Sequence, residues 1–257
     1  MIEPAGGPMD QSLMLLITSV GLIFVLAGFV KGLIGLGLPT VAIGLLGLMM
    51  SPVQAVSLLV VPSLVTNLWQ LLAGPALAPL VRRFGSMLFG FCVGTWGGAS
   101  MFGAANGGGA TTLLGLALIA YALYGLRARR FVVSANVERW MSPLVGTLTG
   151  VIAAATGVFV IPAVPYLQAL ELDKDELVQA LGLSFTVSTL ALAAALAMQG
   201  DFHLSVAGAS LAALLPATGG MLLGQWVRGR MRTDTFRLFF LIGLLLLGCY
   251  LTLRQAF

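Results

Sequence analysis

Charge is what this chain has least of. Only 9% of its 257 residues are Asp, Glu, Lys or Arg, against roughly a quarter in a soluble domain. Nine acids and thirteen bases cannot cover the surface of one or two water-soluble domains, so the chain belongs in lipid. No carboxylate lies deep in an apolar run, which removes a buried Asp/Glu proton relay. The one histidine, His203, borders a loop beside Asp201 and reads as an interfacial residue without a role. Cys92 and Cys249 both sit inside apolar runs and read as small hydrophobes, so they say nothing about redox compartment. Zinc-protease, paired-cysteine, phosphate-loop and nucleophile-elbow motifs are missing, so no metal, cofactor or catalysis is expected, and ATP drive would need another subunit. Alternating ten-residue strands are missing as well, against a β-barrel. The net charge of +4 forms no basic stripe, so nucleic acid is not an expected partner.

What the chain has is apolar length. Mean hydropathy is +1.03, and runs bounded by Gly, Pro or charge fall at 13–30, 36–50, 53–73, 84–104, 110–126, 141–155, 157–170, 177–198, 204–226 and 235–253. The expected fold is an all-α integral membrane protein of about ten helical segments in one domain, residues 1–257. The runs 36–50, 141–155 and 157–170 are shorter than the ~20 residues a bilayer core demands, so they are expected to be tilted, broken or re-entrant. The N-terminus lacks the basic region of a secretory signal, and the first run reads as a retained span. Gly, Ala, Ser and Thr within the runs suit close helix packing in lipid.

If every segment crosses, one side receives Lys31, Arg82, Arg83, Arg127, Arg129, Arg130, Arg139, Lys174, Arg228, Arg230, Arg232 and Arg237, and the other only Arg254. The rich side is expected to be cytoplasmic, with both termini outside.

Weak echoes run through the two halves. Gly28-x-x-x-Gly32 matches Gly146-x-x-x-Gly150, Gln54-Ala55 matches Gln179-Ala180, and Gly97-Gly98 matches Gly219-Gly220. They predict duplicated five-segment units, about 13–126 and 141–253. Because five is odd, the second copy would enter from the opposite face, giving inverted repeats of the kind that support alternating access. Interruptions are expected at Gly32–Thr40 and Gly150–Gly157.

Unwound backbone there would offer free amides and a helix N-terminus to an anion. The candidate substrate-binding residues are Lys31, Gly32, Gly35, Gly37 and Thr40, with Gln54, Ser57 and Asn67 across the groove in the first half. In the second they are Thr149, Gly150, Thr156 and Gly157, with Gln179, Ser184 and Ser188. Ser63 lies one turn before Asn67. Glycine and serine at such positions serve helix packing equally well. Lys31 can neutralise an anion or snorkel to the interface as an anchor; Thr149 holds its place in the second half.

The paired Gly-x-x-x-Gly elements followed by glycine-rich breaks, the helices starting Gln-Ala, and Gly219-Gly220-x-x-x-Gly224 with bases just after resemble the TauE/SafE family of membrane transporters. The resemblance covers nearly the whole chain. It implies a bacterial-type inner membrane and a small sulfur-containing or carboxylated anion such as sulfite, sulfoacetate or another organosulfonate, without implying a direction; the expected function is a multi-pass exporter working by alternating access. Import of another small organic anion, a channel, and a membrane subunit or enzyme of a larger complex are the competing readings. A channel would need a continuous polar pore, for which the thinly polar helices offer little. Membrane lipid is the other expected partner, and oligomeric state is not legible.

Overall fold

Ten helices carry the chain in the computed structural model, which describes residues 8–102, 108–127, 132–200, 204–228, 230 and 233–254; no strand occurs among these residues. In chain order they are α1 (Pro8–Ile34), α2 (Leu38–Leu46), α3 (Pro52–Leu72), α4 (Leu77–Phe102), α5 (Gly108–Arg127), α6 (Ala135–Thr156), α7 (Ala163–Gln168), α8 (Lys174–Gln199), α9 (Leu204–Arg228) and α10 (Thr233–Arg254). Seven are long and apolar enough to cross a membrane: α1, α3, α4, α5, α8, α9 and α10. Their outward faces carry exposed Phe89, Met198 and Leu215. Side chains of that size turned outward along whole helices suit lipid, where a water-soluble surface would aggregate.

Two of the three short runs are short helices. α2 has nine residues and α7 six, so neither spans ~30 Å alone at about 1.5 Å per residue. The third expectation needs correcting. Run 141–155 belongs to the 22-residue α6, whose first turns carry Glu138 and Arg139. Glu138 can sit on a helix end because Arg83 of α4 grips it with two hydrogen bonds, of 2.7 and 2.9 Å. Arg82 and Arg83 likewise lie on α4, not in a loop. His203, Asp201, Arg129, Arg130 and Arg232 lie outside the described residues.

Both ends of the bundle are tied by polar contacts. At one end Gln179 of α8 reaches the α3–α4 turn, Val133 donates to the Ala169 carbonyl, and Arg83 meets Glu138. At the other, Gln199 of α8 donates to the Ala99 carbonyl of α4 and Arg254 donates to the Leu48 carbonyl. Chain connections put the described bases other than Arg254 at or toward the first end.

Glycine sets the closest helix contacts. A Cβ on Gly28 or Gly32 of α1 would overlap the carbonyl oxygens of Ala217 or Met221 on α9. One on Gly220 or Gly224 would overlap those of Val25 or Phe29. Helices α4 and α6 repeat this: Gly146 and Gly150 stand against the Met87 and Phe91 carbonyls, Gly90 and Gly94 against those of Pro143 and Thr147. A shift of 118 positions takes Val25, Gly28, Phe29 and Gly32 to Pro143, Gly146, Thr147 and Gly150. A shift of 130 takes Met87, Gly90, Phe91 and Gly94 to Ala217, Gly220, Met221 and Gly224. The two helix pairs are therefore the same contact made twice.

The third sequence echo is out of register. Gly97 and Gly219 have open space beside them, and the matching element is Gly-x-x-x-Gly-x-Trp, at Gly90, Gly94 and Trp96 and again at Gly220, Gly224 and Trp226.

Candidate functional site

The first interruption is shorter than the sequence suggests. Helix α1 continues through Gly32 to Ile34, and the chain breaks only at Gly35 to Gly37. Gly35 and Gly37 have φ of +83° and +103°, a left-handed conformation that glycine adopts without a Cβ penalty. The next helix then starts with Pro39 in its first turn, where a missing N–H costs nothing. The second interruption starts later than expected. α6 runs through Gly150 to Thr156, is capped by Gly157 at φ +74°, and α7 begins at Ala163. Gly32 and Gly150 therefore lie within regular helix, as close-approach positions against α9 and α4, and offer no free backbone amide to an anion.

Beside the first break stands the buried lysine. Lys31 is 4% exposed, on the last turn of α1. This is no snorkelling anchor: its Nζ donates to Asn67 Oδ1 of α3. Asn67 Nδ2 donates onward to Ser63 Oγ at 3.0 Å and Thr189 Oγ1 of α8 at 3.4 Å. Thr189 spends its single proton on the Phe185 carbonyl at 2.7 Å, so in the 3.2 Å contact with Ser63 it is the serine that donates. Every donor in this chain points away from the lysine, which fixes the Asn67 amide with its oxygen toward the ammonium. One turn on along α3, Gln70 Nε2 donates to the Gly35 carbonyl at 3.2 Å and ties the break to the same helix face. Lysine, asparagine, serine, threonine and the break are thus one constellation, and Lys31 keeps two further N–H donors.

Among the described residues five buried polar side-chain atoms have no hydrogen-bond partner: Thr40 Oγ1 on α2, Ser184 and Ser188 Oγ on α8, Thr95 Oγ1 on α4 and Gln70 Oε1. In a helix a serine or threonine ordinarily returns its proton to the carbonyl four residues back, as Ser57, Thr149 and Thr156 do here, to Val53, Val145 and Ile152. Those three are thereby satisfied within their own helices. Thr40, Ser184 and Ser188 keep their donors free.

Both glutamines singled out by the repeat are committed to backbone. Gln54 forms a capping box with Ser51 at the start of α3. Gln179, 1% exposed, accepts from the Ala76 N–H at 2.8 Å and donates to the Leu71 and Gly74 carbonyls at 2.8 and 2.6 Å. Gln54 and Ser57 line a separate open cavity of about 620 Å³ between the starts of α3 and α9, far from Lys31 along the bundle. Thr189 and Gln70 are not among the residues the sequence singles out, although Ser63, Asn67 and Gln70 lie at i, i+4 and i+7 on one face of an apolar helix, a readable signal.

The second break is filled. A Cβ on Gly157 would overlap Val56 and lie 2.9 Å from Ile43, and the space there is about 20 Å³, lined by Val56, Ala153, Leu192 and Leu196 among others. Beside Gly35, by contrast, a Cβ meets nothing within 4 Å. Among the described residues no three His, Cys, Asp or Glu side chains cluster to hold a metal ion.

The family model described as Sulfite exporter TauE/SafE matches residues 20–251. No curated protein and no solved structure matches the chain. With that match covering most of its length and seven helices long and apolar enough to cross a membrane, the chain belongs to the TauE/SafE sulfite exporter family and is a multi-pass membrane transporter of a small anion.

Proposed function

We propose that the transported ion is a sulfur oxyanion or small organosulfonate, such as sulfite or sulfoacetate, and that it pairs with Lys31 beside the first break. One observation carries this reading. The lysine nitrogen is buried in the helix bundle with a neutral amide as its partner, and the one ion pair among the described residues is Arg83 with Glu138, elsewhere. A buried ammonium without a counter-ion is costly in a low-dielectric interior. An anion at this place supplies the missing charge and accepts hydrogen bonds from the two remaining Nζ N–H groups; the unpaired hydroxyls of Thr40, Ser184 and Ser188 are candidate further donors. Asn67 positions the lysine. Gly35, with nothing within 4 Å of where its Cβ would stand, lets an oxyanion approach the backbone closely before the start of α2.

The repeated contacts of α1 with α9 and α4 with α6 support an alternating-access reading, and the family's description supports the outward direction. Halves of about 13–126 and 141–253, inverted relative to each other, account for that duplication, because an odd number of segments reverses the second copy. The base-rich end then faces the cytoplasm of a bacterial cell and both termini face the periplasm. A periplasm-active reporter fused at Phe257 is expected to be active there; activity confined to the cytoplasm would reverse the orientation.

The deciding experiment is calorimetric titration of sulfite and sulfoacetate into purified protein and its Lys31→Gln variant, which keeps a donor for Asn67. Loss of the charged hydrogen bond is expected to cost about 1–3 kcal/mol of binding, a five- to 150-fold weaker affinity. Equal affinities would remove Lys31 from the site.

A further inference from the structure

A second cavity, of about 240 Å³, opens at the base-rich end against the first break. Gly35 forms part of its wall with its neighbours Ile34 and Leu36; α5, α8, Gln168 of α7 and the facing ends of α9 and α10 supply the rest, including Tyr121, Tyr124, Arg228, Arg237 and Phe240. Among the described residues no carboxylate lines it and neither arginine has an acidic partner. Topology alone explains arginines near a membrane surface. It does not explain two of them on separate helices turned into one cavity with two phenols, walled on its inner side by the glycine that follows Lys31 by one turn.

We infer that this cavity is an anion-docking vestibule, distinct from the Lys31 site, in which Arg228 and Arg237 hold an incoming sulfonate or carboxylate before it passes the Gly35 break. The inference rests on the transport reading above. Guanidinium groups are well matched to such docking, because their planar forks fit an oxyanion's edge and they stay charged at any working pH. Two like charges at the mouth of a low-dielectric cavity also concentrate anions there and speed capture, an effect that salt weakens. The volume lies below the range typical of drug-sized ligands, which selects an anion of a few carbons. Phe240 gives its organic part an apolar wall, so sulfoacetate is favoured over inorganic sulfite at this place.

The test is sulfoacetate flux from the base-rich side in proteoliposomes. The double variant Arg228→Gln/Arg237→Gln is expected to raise KM at least fivefold at low ionic strength, to flatten the rise of KM with salt, and to leave the maximal rate within twofold. The double lysine variant is expected to restore the salt dependence and only part of the affinity. Anchoring arginines would leave KM and its salt dependence as they are, which overturns the vestibule while the transport reading stands. A wild-type protein that moves no anion overturns both. A second measurement does not depend on flux: Tyr124→Cys, in a chain with Cys92 and Cys249 replaced by Ala, is alkylated from the base-rich side. Sulfoacetate is expected to slow that reaction even when Lys31→Gln is added. Protection that vanishes with Lys31→Gln would leave the anion at the lysine alone and overturn the vestibule.

Discussion

The two helix breaks hold corresponding places in the chain and are built for different work. The first, Gly35 to Gly37, is open at Gly35, adjoins a cavity, and follows a buried lysine bonded to an asparagine. The second, after Gly157, is plugged by Val56 and Ile43 and lined by alanine and leucine. The lysine's counterpart, 118 positions on, is Thr149, whose hydroxyl is satisfied by Val145 in its own helix. Leu192 stands as far beyond Asn67 as Gln179 stands beyond Gln54. If the halves are duplicates, as proposed, the helix contacts are alike in both while the polar residues differ. A second buried ammonium in place of Thr149 would repel the first across the same interior.

The largest expected effect comes from forcing the halves to match. Thr149→Lys puts an ammonium at a position with 0% exposure, without an asparagine to receive it. Removing a charge from water with no partner costs several kcal/mol, so little folded protein should be recovered from membranes, as judged by detergent gel filtration. A well-folded Thr149→Lys protein with a second anion site would show the halves to be chemically equivalent and end the comparison.

Next in size are alanines at the two glycine turns. Gly157→Ala combines a left-handed φ with a collision against Val56, while Gly35→Ala has the φ alone. Strain of this kind costs about 1–2 kcal/mol and overpacking about 1–3 kcal/mol more. Thermal unfolding in detergent should therefore rank Gly157→Ala below Gly35→Ala, and adding Val56→Ala should recover stability for the first variant only. Equal losses, unaffected by Val56, would mean that the second break is not packed shut.

How much of this can be read from residues alone follows from what each residue looks like out of context. Apolar runs bounded by charge and glycine mark most of the helices, because bilayer thickness dictates length. The sequence understates α6 because Glu138 and Arg139 resemble a loop; only the partner Arg83, 55 positions away, makes Glu138 at home on a helix. Gly32 and Gly150 resemble hinge glycines, yet a glycine that admits a neighbouring backbone and one that takes a positive φ are identical in sequence. The neighbour tells them apart, and here the neighbour has its own Gly-x-x-x-Gly. Lys31 and Asn67 are visible as polar residues where polarity is expensive, but their meeting depends on how α1 packs on α3. Gln179 misleads because its echo of Gln54 suggests shared function, when each serves its own stretch of backbone.

That last point yields the mildest effect, and it separates structural from binding glutamines. Gln54→Ala removes a capping box at the start of α3, worth about 1 kcal/mol; its neighbour Ser51 keeps a hydroxyl to cap the helix, so the loss should fall at the lower end. Gln179→Ala strips partners from the Leu71 and Gly74 carbonyls and the Ala76 N–H, and buried groups left unpaired cost about 1–3 kcal/mol. Both variants are expected to keep the wild-type affinity for sulfite, because neither amide reaches the Lys31 constellation. The α3–α4 turn should loosen in Gln179→Ala, seen as faster hydrogen exchange over residues 71–76, while the same segment in Gln54→Ala should exchange as in the wild type. If either variant instead lost sulfite affinity tenfold with its melting temperature unchanged, that glutamine would belong to the binding site, and the two breaks would share the anion after all.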